Sequence, residues 1–189
     1  SVLEDSLYTY TITTTDIDPT SDTVSITGTT IPSRLALNTT TNILTGTPTN
    51  SEVGTHSVVI TATDSNSAST TQSFTITVTN TNDAPIFTST QITSATEDTL
   101  YSYTVRTSDV DIGDTTTLSA PTLPSWLNLD SSTGILSGTP LVGDVGVGLT
   151  INDVILRVTD AAGSFTTQSF TIDVTNFNDF PVFTSTPIT

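Results

Sequence analysis

The chain has 189 residues, a formal net charge of -16 and no cysteine. Nineteen acidic residues against three basic ones exclude nucleic acid and anionic membrane surfaces as electrostatic partners and favour cations. The absence of cysteine excludes a disulfide framework. Because no run of about 18 apolar residues exists and no basic-then-apolar leader precedes Ser1, we expect neither a membrane span nor a signal peptide in this stretch.

The sequence is an internal repeat. The segment EDSLYTYTITTTDIDPTSD, which starts at Glu4, recurs from Glu97 as EDTLYSYTVRTSDVDIGD. The similarity continues through IPSRLALNTTTNILTGTP against LPSWLNLDSSTGILSGTP, and through TQSFTITVTNTNDAPIF against TQSFTIDVTNFNDFPVF. A repeat of about 95 residues is the size of one β-sandwich. We therefore expect module one at residues 1–83, module two at 84–180, and the first strand of a following module at 181–189.

Apolar residues alternate with polar ones in each copy, which is typical of half-buried antiparallel strands. The alternating residues are Tyr8, Tyr10, Ile12, Val58, Ile60, Ala62, Phe74, Ile76 and Val78, and in copy two Tyr101, Tyr103, Val105, Val154, Leu156, Val158, Phe170, Ile172 and Val174. About seven strands are predicted per copy. Residues 46–48 and 138–140, both Gly-Thr-Pro, read as turns, and Asn-Asp before Pro85 and before Pro181 reads as a linker.

Most acidic residues occupy equivalent positions in the two copies. The pairs are Glu4 with Glu97, Asp5 with Asp98, Asp16 with Asp109, Asp18 with Asp111, Asp22 with Asp114, Glu52 with Asp144, Asp64 with Asp160 and Asp83 with Asp179. Such recurrence indicates that the acids have the same function in both copies. In an extended segment, Asp-x-Asp spacing places both side chains on one side of the chain. Hard oxygen ligands without His or Cys select Ca²⁺ over zinc or copper.

These motifs carry a family resemblance that spans both copies. VTNTNDAPIF is similar to the linker of cadherins, TDID and SDVD to their Asp-x-Asp pair, and VTDAAGS to their late Asp-containing loop. With LPSWLNLDSSTGILSGTP, the chain most resembles dystroglycan-type cadherin-like domains of tandem surface proteins. The resemblance implies two tandem Ig-like Greek-key sandwiches, all-β, with calcium bound where adjacent modules join.

The resemblance also implies a set of ligands. Carried over by position, the metal-binding residues are Glu4, Asp5, Glu52, Asn80, Asn82, Asp83, Asp109, Asp111 and Asp160. Asn80 replaces the acid that usually opens the linker, and the linker is one residue shorter before Pro85, so we expect one or two ions. Asp5, Asp22 and Asp114 are the acids that simple turn capping explains best.

The resulting functional hypothesis is a non-enzymatic structural and adhesive segment that calcium makes rigid. We expect it to belong to a cell-surface or secreted protein with a membrane-anchored parent, and to contact a surface protein or glycan. The alternative is a pair of carbohydrate-binding modules, in which Trp126 would contact the ligand, although copy one has Arg34 there. Catalysis is not expected, because the carboxylates lie on loops at module ends and His56 has no counterpart.

Residues 181–189 repeat the strand that begins module two. At full extension they reach only about 33 Å, so we expect the strand to add to module one of another molecule, giving head-to-tail self-association. That contact would complete a second calcium site from two half-sites. The half-site residues are Asp16, Asp18 and Asp64 on one molecule, and Glu97, Asp98, Asp144, Asn176, Asn178 and Asp179 on the other.

Overall fold

The computed structural model describes residues 1–17, 23–146 and 148–186, and these fold into two compact units, Ser1–Asn82 and Asp83–Thr189. Both units are built from strands joined by loops and short 3-10 turns, which confirms the predicted all-β class. None of the described helical turns is long and apolar enough to span a bilayer.

Unit 1 is a sandwich of two sheets. Its strands are β1 (Val2–Leu3), β2 (Tyr8–Thr11), β3 (Ser25–Thr30), β4 (Leu35–Asn38), β5 (Ile43–Gly46), β6 (Gly54–Thr63) and β7 (Ser69–Thr79). One sheet has the order β1-β7-β6-β3 and the other the order β2-β5-β4. The inward residues of the alternating pattern, with Leu44 and Val58 fully enclosed, form the core between them.

Unit 2 repeats this plan with additional short strands. They are β8 (Ile86–Phe87), β9 (Ser94–Thr96), β10 (Tyr101–Thr104), β11 (Thr107–Ser108), β12 (Thr117–Thr122), β13 (Leu127–Asp130), β14 (Ile135–Gly138), β15 (Asp153–Thr159), β16 (Phe165–Thr171) and β17 (Asp173–Thr175). The sheets run β10-β14-β13 and β12-β15-β16, with pairs β11-β8 and β17-β9. As expected for a first strand, β8 packs Phe87 against the core.

In each unit the last strand runs parallel to a short strand near the start of the unit. In unit 1, β1 pairs with β7, Val2 opposite Val78 and Leu3 opposite Thr79. In unit 2, β17 pairs with β9 over three residue pairs centred on Val174 opposite Ala95. Each sandwich is therefore closed by backbone hydrogen bonds between segments that are far apart in sequence.

Gly46 and Gly138 occupy equivalent positions in the two copies, and the structural reason for glycine there differs from the predicted one. Gly46 and Gly138 were expected in turns, but each is the last residue of a strand, β5 and β14. A Cβ on Gly46 would overlap the carbonyl oxygen of Arg34, and one on Gly138 would overlap that of Trp126. Close approach of two backbones, and not turn conformation, therefore requires glycine here.

Candidate metal-binding sites

Three carboxylates of unit 2 converge from two loops. Asp109 follows β11, Asp114 lies in the loop before β12, and Asp160 follows β15. Each offers one carboxylate oxygen, and these oxygens all lie within 4.8 Å of one another. We call Asp109, Asp114 and Asp160 the triple-aspartate cluster.

Local backbone bonds fix the orientation of this cluster. Asp160 Oδ1 accepts hydrogen bonds from the backbone N–H of Gly163 (2.6 Å) and of Ser164 (2.8 Å), in a turn that Gly163 closes at φ +97°. Asp114 Oδ1 accepts from the N–H of Thr115 at 2.7 Å. These turn bonds orient the carboxylates of Asp114 and Asp160 towards the cluster.

Asp109 gives the strongest evidence that this cluster can hold a cation. Its Oδ1 accepts from the backbone N–H of Asp111 at 3.0 Å, whereas its Oδ2 is buried without a hydrogen-bond partner among the described residues. A buried carboxylate oxygen with no donor is costly, and a bound cation would satisfy it. The all-oxygen donor set fits a hard cation such as calcium.

The two acids of the Asp-x-Asp segment do not lie on an extended strand. The backbone bends at Val110 and Asp111 instead of staying extended, so the two side chains have different partners. Asp111 is 8% exposed, and its Oδ2 accepts from the backbone N–H of Asp83 at 2.9 Å. Asp114, which the sequence placed among turn-capping acids, takes the place beside Asp109 that was expected for Asp111.

A second group of acids in unit 2 consists of Glu97, Asp98 and Asp179, whose facing oxygens also lie within 4.8 Å of one another. Glu97 is 2% exposed, and its Oε2 accepts from the backbone N–H of Phe177 at 3.1 Å. Asp98 stands in the left-handed region at φ 57°, and Asp179 is exposed. Three predicted half-site residues are thus brought together.

The remaining predicted residues of unit 2 have local roles. Asp144 Oδ2 accepts from the backbone N–H of Leu141 (2.8 Å) and caps the 3-10 turn Val142–Asp144. The Asn176 amide donates to the carbonyl of Phe177 at 2.9 Å, and Asn178 is exposed. The described contacts place none of these three side chains within the Glu97 group.

In unit 1, Glu4 is the most enclosed of the predicted ligands. It is 1% exposed, its Oε1 accepts from the backbone N–H of Thr81 at 2.6 Å, and its Oε2 has no hydrogen-bond partner in the described part of the chain. Asp5 is exposed at φ 55°, and Asn80 and Asn82 are exposed in the segment after β7. Glu4 and Glu97 therefore share burial and a backbone donor from the segment that follows the last strand.

Glu52 caps its own turn. The backbone N–H of Thr49 donates to Oε2 at 2.9 Å, the hydroxyls of Thr49 and Ser51 also donate, and Arg34 Nε lies 3.7 Å away. Against the opposing effect of burial, these contacts lower the pKa of Glu52 to about 2. The side chain is thus engaged in the 3-10 turn Asn50–Glu52.

The half-site acids of unit 1 are only partly described. Asp64 Oδ1 accepts from the backbone N–H groups of Asn66 and Ala68, both at 2.8 Å, and Asp16 is exposed. Asp18 and Asp22 lie outside the described residues. Asp64 repeats the turn that Asp160 makes in unit 2.

Trp126 is part of the hydrophobic packing of unit 2. The ring is half-buried against the core, stands edge-on to Tyr101 at 5.8 Å, and donates its indole N–H to Asn152 Oδ1 at 3.0 Å. The sequence alternation had placed it on the face opposite Leu127, but both contact the core. A ligand-stacking role for Trp126 stays a prediction.

Sheet order, core and repeat define two tandem Ig-like β-sandwiches. The He_PIG family model, described as "Putative Ig domain", matches residues 1–79 and again residues 84–175, so the chain belongs to this family. No curated protein matches the sequence.

Solved structures support the fold. Protocadherin Gamma B2 extracellular cadherin domains 1–5 is 17% identical over 84% of this chain and 34% of that one, with a TM-score of 0.51. Mouse Cadherin-23 EC22–24 is 14% identical over 82% and 53%, with a TM-score of 0.50. The endo-fucoidan hydrolase MfFcnA4 of glycoside hydrolase family 107 is 22% identical over 94% and 27%, with a TM-score of 0.44. The chain thus spans about a quarter to a half of these structures, and the two cadherins show likeness of fold alone.

Proposed function

We propose that the chain is a calcium-binding, non-enzymatic structural and adhesive segment of a cell-surface or secreted protein, built from cadherin-like modules of the dystroglycan type. The observation that carries the proposal is the triple-aspartate cluster, in which Asp109 Oδ2 is buried without a donor among the described residues. A structural ion would remove this unfavourable arrangement.

The donor chemistry favours calcium over other ions. The cluster offers only carboxylate oxygens, and zinc and copper prefer nitrogen or sulfur ligands. Ca²⁺ accepts six to eight oxygens in flexible geometry, whereas Mg²⁺ demands near-ideal octahedral geometry. A cluster built from two loops, without a rigid octahedral frame, suits the more permissive ion.

We extend the proposal to the other predicted ligands. Their shared feature is an oxygen-bearing side chain in a loop, and they are Glu4, Asp5, Glu52, Asn80, Asn82, Asp83, Asp111, Glu97, Asp98 and Asp179. Because Glu52 already caps a turn, we rank it as the weakest member of this set. Neutralising clustered carboxylates would let neighbouring modules approach, which is the proposed physical basis of calcium-dependent stiffening.

Calorimetry on chelated protein tests the proposal. We expect dissociation constants of roughly 10⁻⁵ to 10⁻³ M for calcium, and much weaker binding of magnesium. Asp109→Asn should weaken the tightest step at least about tenfold, since it removes charge from the buried oxygen. Asp130→Asn is the matched control, because Asp130 only caps a turn through Ser132 and Thr133.

Different results would reject ion binding, the assignment to this cluster, or stiffening by the ion. Absence of heat and of any rise in melting temperature on calcium addition would reject the proposal. Equal losses in the Asp109 and Asp130 variants would reject this cluster as the site. Small-angle scattering should give a larger maximum dimension with calcium than with chelator, and identical curves would reject stiffening while leaving ion binding in place.

The carbohydrate-binding alternative stays a prediction, because the ring expected to stack on sugar packs against the core instead. Head-to-tail association through residues 181–189 needs no ion and is therefore independent of the calcium proposal.

A further inference from the structure

The hairpin that joins β4 to β5 in unit 1 carries the single Asn-x-Ser/Thr motif of the sequence, Asn38-Thr39-Thr40. This is the acceptor motif for N-linked glycosylation, in which the side-chain amide nitrogen of asparagine receives the sugar. Asn38 is the last residue of β4, and residues 38–41 are exposed. The motif therefore lies where an external enzyme can reach it.

The turn presents the reacting amide to solvent. Asn38 Oδ1 accepts hydrogen bonds from the backbone N–H of Thr40 at 2.9 Å and of Thr41 at 3.1 Å, which hold the amide oxygen against the chain. Neither the Asn38 amide nitrogen nor the Thr40 hydroxyl has a hydrogen-bond partner among the described residues. The nitrogen that would form the new bond and the hydroxyl that the motif requires are thus both accessible.

The equivalent turn of unit 2 has the same backbone bonds without an amide. Asp130 Oδ1 accepts from the backbone N–H of Ser132 at 2.9 Å and of Thr133 at 3.2 Å. The turn therefore needs only an oxygen acceptor, which aspartate supplies as well as asparagine does. The amide nitrogen of Asn38 is the one group of this side chain that the turn does not use.

Asn38 also ends an edge strand. The sheet order β2-β5-β4 leaves β4 at the edge, as the order β10-β14-β13 leaves β13 in unit 2. An edge strand presents backbone groups that can pair with another chain, and proteins protect such edges with charges or by covering them. β13 ends on the charged Asp130, whereas Leu35–Asn38 contains no charged residue. A glycan on Asn38 would cover the edge that lacks a charge.

We propose that Asn38 is an acceptor for N-linked glycosylation and that its glycan covers the free edge of β4. The step is a group transfer from a lipid-linked oligosaccharide diphosphate, catalysed by a transferase. The Asn38 amide nitrogen forms a bond to the anomeric carbon of the first sugar, while the bond from that carbon to the diphosphate oxygen breaks. The lipid diphosphate leaves with the bonding electrons, the nitrogen loses one proton to a base of the transferase, and nothing is oxidised or reduced. The proposal rests on the secreted or cell-surface location proposed above, but not on ion binding.

The test directs the full chain through the secretory pathway of eukaryotic cells behind a cleavable leader, and intact-mass spectrometry counts the glycans. We expect one glycan per chain, which peptide mass spectrometry should place on Asn38. Asn38→Asp and Thr40→Ala should each lose the glycan. Thr39→Ala keeps the motif and is the matched control, so it should remain glycosylated. Because Asn38→Asp retains the oxygen that the turn needs, circular dichroism should show an unchanged fold.

The turn of unit 2 allows the reverse experiment. Asp130→Asn creates an Asn-Ser-Ser motif in the same type of turn and should add a second glycan. Absence of this second glycan would contradict the role of the turn in presenting the amide. A secreted, folded chain without sugar on Asn38 would overturn the acceptor assignment.

Light scattering during heating tests the covering of the edge. Thr40→Ala removes the glycan without adding a charge, so it should aggregate faster than the glycosylated parent, whereas Thr39→Ala should not. Equal rates for the two variants would overturn the protective role. Calcium calorimetry on the same chain separates this inference from the proposed function. A glycan without calcium heat would reject ion binding alone, and calcium heat without a glycan would reject the Asn38 assignment alone.

Discussion

Unit 1 and unit 2 have equivalent hydrophobic cores but differ on one flank. The central residues are equally enclosed, Leu44 and Leu136 both at 0% exposure, while Tyr103 is buried at 2% and its counterpart Tyr10 is only half-buried. The difference follows β8, which runs over Tyr103 and has no counterpart among the described residues of unit 1. The first strand therefore covers a core that the other strands already build.

The largest expected effect tests whether the two cores are equivalent. Leu44→Ala and Leu136→Ala should each lower the free energy of unfolding of their own unit by about 4 kcal/mol, because each leaves a cavity in a closed interior. Circular dichroism follows both units in urea, and the fluorescence of Trp126, the single tryptophan, follows unit 2 alone. A much smaller loss for Leu44→Ala would show that unit 1 is looser without the flanking strand.

A second pair of variants probes the backbone contact at the end of β5 and β14. Gly46→Ala and Gly138→Ala should each cost about 3 kcal/mol, since the added methyl displaces a neighbouring carbonyl. Thermal unfolding measures the cost, and Gly143→Ala is a suitable control because nothing lies near its Cβ position. Tolerance of alanine at either strand-end position would contradict the close-approach explanation.

The flanking strand itself can be weakened selectively. Phe87→Ala should lower the stability of unit 2 by about 2 kcal/mol, less than a core leucine because the ring is half-buried. Phe183→Ala, in the same local sequence, should leave the unfolding of a dilute monomer unchanged. The urea midpoint read from Trp126 distinguishes them, and equal shifts would mean that Phe183 already packs within its own molecule.

The smallest effect concerns pH. The Ser132 and Thr133 hydroxyls and backbone N–H groups lower the pKa of Asp130 from 3.8 to about 2. A pKa lowered by folding stabilises above the unfolded value, so this contribution is complete above about pH 4 and is lost as pH falls towards 2. Asp130→Asn should flatten the acid dependence of the Trp126 transition. Asn38 already makes the same turn bonds in unit 1.

Glu52 gives the corresponding test in unit 1. Its pKa falls from 4.5 to about 2, so its contribution should disappear over the same acid range. Glu52→Gln should flatten the circular dichroism transition of unit 1 between pH 4.5 and 2 and leave the Trp126 signal unchanged. A change confined to the Trp126 signal would contradict the assignment.

Sequence periodicity was sufficient for the fold class, because inward residues such as Ile76 and Val174 alternate strictly with polar ones. It also located β8, since Phe87 follows a linker. It did not reveal why residue 46 is glycine. The close approach of two backbones depends on which strands pair, and the local sequence does not show that.

The candidate site was less predictable for a similar reason. Internal repetition identified Asp109 and Asp160 as members of a recurring acidic set, but their meeting depends on how two loops converge in three dimensions. Asp114 was assigned to a turn, and it does bond Thr115, yet its carboxylate also faces Asp109. A side chain with both roles cannot be recognised from spacing alone.

The parallel pairing of the last strand with β1 or β9 determines how each unit resists force. Tension applied through the two ends of a unit pulls such strands past each other, so their hydrogen bonds bear the load together instead of opening one at a time. In unit 1 the pairing spans two residue pairs, extended by the bond from Glu4 N–H to the Thr79 carbonyl. Unit 2 pairs three residues and makes the equivalent bond from Glu97 N–H to the Thr175 carbonyl, and in both units a backbone N–H after the last strand, Thr81 or Phe177, donates to the glutamate carboxylate. Each unit should therefore withstand a larger pulling force than a sandwich whose terminal strands separate one hydrogen bond at a time.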